Sequence, residues 1–217
     1  SVELVARAES AGFDAYKTAS PDIVHRPLLD ALRATGKPLI VSTGAATLAE
    51  VSRAIAWLTR EGANPTTRDL AVLQCVSSYP TPMDQAALGG IMALRDVFHG
   101  PVGYSDHTAE ESTGALSVAC GACLLEKHFT DDRARIGPDH RASLDATGFA
   151  HYVKNARRAW RATCAARTAS GTVVASTGSG CLRGSLGTER AGSVPFRSWR
   201  CWGLSVVFMG SSPPARR

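Results

Sequence analysis

Two short stretches decide how this chain reads: GYSDHT, residues 103–108, and LLEKHFT, residues 124–130. Each is an apolar run of strand length that ends in an imidazole, His107 in the first and His128 in the second. Working outward from them, three more runs of the same kind precede them, so strands are expected over 15–17, 38–42, 70–75, 102–105 and 124–127. Their starts lie 23, 32, 32 and 22 residues apart. Helical patterns fill the intervals, over 27–34, 47–60, 86–98, 108–120 and 149–160. Thr47-x-x-Glu50 opens one of them as a capping box. The expected inward faces carry Leu28, Leu29 and Leu32; Val51, Ile55 and Leu58; Leu88, Ile91, Met92 and Phe98; and Phe149, Val153, Ala156 and Trp160.

Strands alternating with helices at this spacing imply βαβ units and a parallel sheet. No GxGxxG opens any helix, which argues against a dinucleotide fold. The fold class is therefore α/β, a partial (β/α)8 barrel of about five units. A closed barrel needs eight, so three strands are expected to be missing from the front. The chain has no initiator Met and starts inside a helical pattern, which agrees with a truncated start.

Composition narrows the class further. Hydrophobic residues make up 44% and charged residues 20% of 217, as in a soluble globular protein. No apolar run is long enough for a membrane span, and the start is no signal peptide, so a cytoplasmic protein without a membrane partner is expected. The net charge of +5 hides an asymmetry: residues 1–150 carry −5 and residues 151–217 carry +10. The basic part shows neither a packed basic face nor interleaved aromatics, so nucleic acid is not expected as a partner. The domain boundary falls between 1–165, the barrel part, and 166–217. Residues 168–217 hold 17 Gly and Ser, six Arg and no Lys or Asp. They read either as a flexible extension or as an out-of-frame translation of a GC-rich gene. The six cysteines are scattered, and Cys120-x-x-Cys123 lies in an Ala-rich helical pattern with no second pair. Small buried side chains are the reading, not a zinc or redox site.

In a barrel the active site lies at the C-terminal ends of the strands. Those ends supply Lys17 and Ser20, then Ser42, Thr43 and Gly44, then Ser77, Ser78 and Tyr79, then Ser105, Asp106 and His107, then Lys127 and His128. Hydroxyls with a lysine suit a phosphate or carboxylate. Two histidines past the ends of adjacent parallel strands, about 4.8 Å apart, suit one borderline divalent ion with open positions. Each could equally be a hydrogen-bonded structural residue. Alternation sends Lys127 to the opposite face, toward an exterior ion pair. Glu126 shares the inward side with His128 and either orients a ligand or makes a structural hydrogen bond. His140 reads as a loop residue, and His25, His99 and His151 receive no role.

The segments YKTAS, GKPLIVSTG, LQCVSSYPTP, VGYSDHT, LLEKHFT and GPDHRASL, in this order over about residues 13–160, resemble the sialic acid (N-acetylneuraminate) synthase family. The resemblance implies a (β/α)8 barrel followed by an antifreeze-like domain, a homodimer, and condensation of phosphoenolpyruvate with N-acetylmannosamine or a related N-acetylated amino sugar. It implies that His107 and His128 bind a divalent metal, Mn2+ foremost, with Mg2+ or Co2+ as alternatives. Lys17, Ser20, Ser42, Ser77 and Ser105 match groups that bind phosphoenolpyruvate, and Tyr79 and Asp139 match positions lining the sugar site. Lys17 and Asp22 match the catalytic positions, although many members have Glu where Asp22 stands. Ser77 stands where some members have Asn. The resemblance further implies that the first three strands and the antifreeze-like domain are absent, with impaired activity of the isolated chain. The competing readings are a non-catalytic fragment or pseudogene product, and another metal-dependent barrel aldolase. Sialic, legionaminic and pseudaminic acid synthases share these segments, so the acceptor sugar stays open.

Overall fold

The structure is a computed structural model, and it describes residues 1–59, 69–137, 139–165 and 205–210. The elements are α1 (Glu3–Ser10), β1 (Tyr16–Thr18), α2 (Arg26–Ala34), β2 (Leu39–Ser42), α3 (Leu48–Thr59), β3 (Leu70–Cys75), α4 (Gly89–Val97), β4 (Val102–Asp106), α5 (Thr113–Ala119), β5 (Leu124–Phe129), α6 (Ala146–Ala165) and β6 (Ser205–Gly210). A 3-10 turn, Ser20–Val24, follows β1. All five expected strands are present within a residue or two of their expected limits. They form one parallel sheet in the order β1-β2-β3-β4-β5, with β6 added beyond β5. The helices cover one side of this curled sheet, which is part of a (β/α) barrel with β1 and β6 at its two ends. The sequence marks no element at 205–210, because its short apolar run sits in a stretch without sustained periodicity. The rest of the tail, and with it the frame question, lies outside the described residues. No helix among them is long and apolar enough to cross a membrane.

Local chemistry explains the helix limits. At the start of α3 the Thr47 N–H donates to Glu50 Oε2 at 2.8 Å and the Glu50 N–H donates to Thr47 Oγ1 at 3.3 Å, closing the capping box read from the sequence. Pro27 sits in the first turn of α2, where its missing N–H costs nothing. Two expectations are corrected. The expected helix over 108–120 starts only at Thr113, because Thr108 is bound back to Asp106 at the end of β4. Met92 is exposed; α4 buries Ile91 and Leu94 instead, a stripe that leaves residue 92 on the solvent side.

Apolar side chains pack on both faces of the sheet. The outer face, under the helices, holds the larger core, including Leu39, Val41, Leu70, Val72, Tyr104 and Leu125 against Leu29, Leu58, Ile91 and Tyr152. The inner face holds a small cluster, Ile40, Ala71, Leu73 and Leu124. Both faces being apolar explains why the strands read as continuous apolar runs.

Gly103 lies between β3 and β5 on the inner face. A Cβ there would stand 2.6 Å from Leu73 Cδ2 and closer still to the carbonyl oxygen of Leu124, which is backbone and cannot swing aside. Gly103→Ala is therefore expected to destabilise the chain by about 1–3 kcal/mol, measured by urea unfolding; unchanged stability would contradict this packing.

Candidate active site

The inner face changes character along the strands. The parallel register pairs Ser42 with Leu73, Leu73 with Gly103 and Gly103 with Leu124, an apolar layer apart from Ser42. Two residues on, it pairs Cys75 with Ser105 and Ser105 with Glu126, a polar layer. Another step of two brings His107 and His128, one residue beyond β4 and on β5 respectively. Because side chains alternate strictly, this layering follows from register alone.

The two imidazoles meet at the strand ends. Their ring centroids are 5.4 Å apart and their planes are inclined by 57°. Two imidazoles ligating one ion at about 2.1 Å stand at roughly this separation. His107 is oriented by its neighbours. Its Nδ1 lies 2.7 Å from the carbonyl oxygen of Val76, which can only accept, so Nδ1 carries the proton. That leaves the Nε2 lone pair for an incoming group, with Ser105 Oγ 3.4 Å away. His128 Nδ1 is buried with no hydrogen-bond partner among the described residues. No group of three His, Cys, Asp or Glu among those residues is placed to hold a metal. A bound ion would thus have two protein nitrogens and open positions. Tyr79 lies against both rings, 4.0 Å from the His107 centroid and edge-on to His128 at 5.7 Å.

Hydroxyls and one cation stand beside the imidazoles. Gly44 N–H donates to Ser20 Oγ at 3.1 Å, and a Cβ on Gly44 would lie 2.6 Å from Ser77 Oγ and 2.7 Å from Ser20 Oγ. The glycine therefore lets two hydroxyls close on one spot. Cys75 Sγ sits between them and the histidines, 3.6 Å from Ser20 Oγ and 3.8 Å from His107 Nδ1. Ser42 Oγ and Glu126 Oε2 are buried without partners among the described residues. Lys17 Nζ reaches Glu126 Oε1 at 3.2 Å, which brings the cation from β1 across the inner face to β5.

Comparison with known proteins decides the family: residues 1–168 match the NeuB family. The chain belongs to the NeuB family. Its relatives include an N,N'-diacetyllegionaminic acid synthase of Campylobacter jejuni, 39% identical over 134 residues that cover 62% of this chain and 40% of the relative. A pseudaminic acid synthase of Helicobacter pylori is 35% identical over 146 residues, 67% of this chain and 42% of that protein. Among solved structures, the N-acetylneuraminic acid synthetase of Leptospira borgpetersenii superposes with a TM-score of 0.69 at 31% identity, over 75% of this chain and 55% of that one. The chain spans about two-fifths of the length of the curated relatives it matches.

Against this family background, the structure brings most of the expected residues together. Lys17, Ser20, Ser77, Ser105, His107, His128 and Tyr79 are linked by the contacts above. Ser42 ends β2 on the same face. Asp139 is linked to the site only through its charge: burial is the main cause that pushes the Tyr79 phenol up, with Cys75 and Asp139 adding to it, and Asp139 opposes the burial that lowers His128. Asp22 is engaged elsewhere. Its Oδ2 accepts from the Ala19 N–H at 3.2 Å and caps the turn after β1. His140 is buried and shares a 2.8 Å hydrogen bond with Thr130 Oγ1, the loop role expected of it. Cys120 and Cys123 are half-buried rather than buried, and the Cys123 thiol donates to the Val102 carbonyl oxygen at 3.4 Å. One expectation is corrected. Lys127 does face away from the histidines and does form an ion pair, with Asp106 at 3.3 Å, but both side chains are wholly buried beneath the helices. Asp106 therefore belongs to this outer pair and not to the histidine cluster. Sequence reading missed Cys75 and the closeness of Gly44 to the two hydroxyls; the inward parity of Cys75 with Ser105 was the available signal.

Burial, the leading cause for each ring, holds His107 and His128 below the ordinary imidazole value. For His107 the bond to Val76 opposes this and the neighbouring His128 adds to it. A depressed base favours the neutral ring in the folded chain. The unfolded chain then binds more protons below about pH 6.5, and stability falls as pH drops through that window until the folded rings themselves protonate. NMR titration of the metal-free chain is expected to give midpoints below about 6.5 for both rings; a midpoint above that value for either would contradict the burial account.

Proposed function

We propose that this chain carries the metal and enol-phosphate side of a nonulosonic acid synthase. The reaction is condensation of phosphoenolpyruvate with the open-chain aldehyde of N-acetylmannosamine or a related N-acetylated amino sugar. The observation that carries this reading is the pair His107–His128 at neighbouring strand ends, directly beside the hydroxyl cluster of Ser20, Ser77 and Ser105 with the Lys17 cation. The NeuB family membership and the sugar-acid synthases among the relatives support it.

The donor set fits a divalent ion of borderline character, Mn2+ foremost, with Mg2+ or Co2+ as alternatives. The ion, when bound, would draw charge from the aldehyde oxygen. Everything else falls to the chain. Lys17 and the serine hydroxyls hold the phosphate and carboxylate of phosphoenolpyruvate through charge-assisted hydrogen bonds. Glu126 fixes the Lys17 ammonium across the cleft, so that the cation does not need to reorganise as charge develops on the leaving phosphate. Tyr79 and Asp139 border the space where the sugar approaches. The C3 carbon of phosphoenolpyruvate bonds to the aldehyde carbon, C2 becomes electron-deficient, and water adds there. The tetrahedral product then loses phosphate by cleavage of its C2–O bond. Asp22 is assigned to handle that water, through a bridging water because its side chain is short and one oxygen is held by the turn. The sheet is open at β1 among the described residues, so turnover by the chain alone is expected to be weak.

The test is release of inorganic phosphate from phosphoenolpyruvate in the presence of Mn2+, with and without N-acetylmannosamine or its N,N'-diacetyl analogues. The expected result is sugar-dependent release, however slow, that falls to background in His107→Ala and in His128→Ala. Phosphate retained in the product would instead indicate an aldolase. Release that ignores both the sugar and the histidine substitutions would overturn the proposal.

A further inference from the structure

The buried ion pair on the outer face has no part in the chemistry just described, yet its two members each immediately precede a histidine. Asp106 and Lys127 are direct register partners on β4 and β5. Both are fully buried, and Lys127 Nζ lies 3.3 Å from Asp106 Oδ1. The same Asp106 oxygen accepts from the Thr108 N–H at 2.9 Å and from the Thr108 hydroxyl at 2.8 Å. Lys127 in turn donates to the Thr108 carbonyl oxygen. The ammonium therefore reaches from β5 to the residue after His107, and the carboxylate clamps the residues on both sides of His107. Thr113, at the start of α5, shares a 2.8 Å hydrogen bond with the Thr108 hydroxyl, and the Tyr152 ring of α6 lies 5.6 Å from Lys127 Nζ. These helices keep water out.

A buried ion pair is seldom a net source of stability; apolar residues of the same size often do as well. Its distinctive effect is to specify one arrangement. Here the chain leaves β4 after Asp106, and Thr108, two residues on, is buried with an N–H and a C=O that need partners there. An apolar pair could not supply them. A slip of one residue between β4 and β5 would also turn an imidazole to the outer face and bring an unpaired charge inward.

We infer that Asp106 and Lys127 form a positioning pair that holds His107 and His128 side by side on the inner face, acting through Thr108 and the strand register. The affinity part of the test rests on the metal reading above; a second readout does not. The full chain carrying Asp106→Leu together with Lys127→Met is compared with the unaltered chain, with folding checked by circular dichroism and thermal unfolding. Mn2+ binding is followed by electron paramagnetic resonance, and the His107 tautomer by long-range 1H–15N spectra of the metal-free protein. The double variant is expected to fold, to bind Mn2+ about 10–100-fold more weakly, and to lose the fixed Nδ1–H tautomer of His107. A folded double variant with the original Mn2+ affinity and the original tautomer would overturn the inference. If the unaltered chain binds no Mn2+ but the tautomer still changes in the variant, the positioning role stands and the metal reading falls. Should the double variant fail to fold, Thr108→Val decides by the same two readouts, since it keeps both charges and removes one donor to Asp106.

Discussion

The parallel register between β4 and β5 is the constraint on which the site depends. It sets Ser105 opposite Glu126 and Asp106 opposite Lys127. Alternation then sends one pair inward and the other outward, and the next step places two imidazoles together. His107, one residue beyond β4, is kept in line by the bonds of Thr108 to Asp106 and Lys127. Two strands of ordinary geometry, about 4.8 Å apart, bring the rings within the 5.4 Å separation observed. The helices packed outside hold the strands in that register, so the apolar core and the polar site are parts of one arrangement.

Unsatisfied polar groups occur on both faces: Thr18 Oγ1, Asp106 Oδ2 and the Tyr152 hydroxyl lie on the outer side, buried without partners among the described residues. Ser42 Oγ, Glu126 Oε2 and His128 Nδ1 are buried without partners among the described residues, and all three lie on the inner face at or near strand ends. Leaving such a group unpaired costs about 1–3 kcal/mol. A folded chain that tolerates several in one place gains more from an incoming polar ligand than a satisfied surface would. The inner apolar cluster of Ile40, Ala71, Leu73 and Leu124 lies below them and gives the site a floor that does not compete for hydrogen bonds.

Much of this was legible in the sequence because strand periodicity is simple. The five strands, the capping box at Thr47 and the inward placement of His107 and His128 all follow from counting by two or by 3.6. Burial on the outer face was harder to read. Alternation shows that Lys127 points away from the histidines, but not that helices cover it, since in a parallel sheet neither face is wet. The late start of α5 escaped for a related reason: Thr108 stands at the head of a small, Ala-rich pattern, and its bonds to Asp106, two residues back, and to Lys127 on β5 hold it out of the helix. The stripe of α4 was misjudged at Met92 because an apolar side chain on the solvent side is common and carries no signal. The meeting of Gly44, Ser20, Ser77 and Cys75 involves three separate strand ends, and no local pattern encodes it.

In the proposed site, the imidazoles of His107 and His128 on adjacent strands converge on one divalent ion. Anomalous diffraction from crystals grown with Mn2+, recorded on both sides of the manganese absorption edge, tests it most directly. One strong peak is expected between His107 and His128, about 2.1 Å from a ring nitrogen of each. A peak bound to only one of the two rings, or manganese found elsewhere with both rings unliganded, would contradict it.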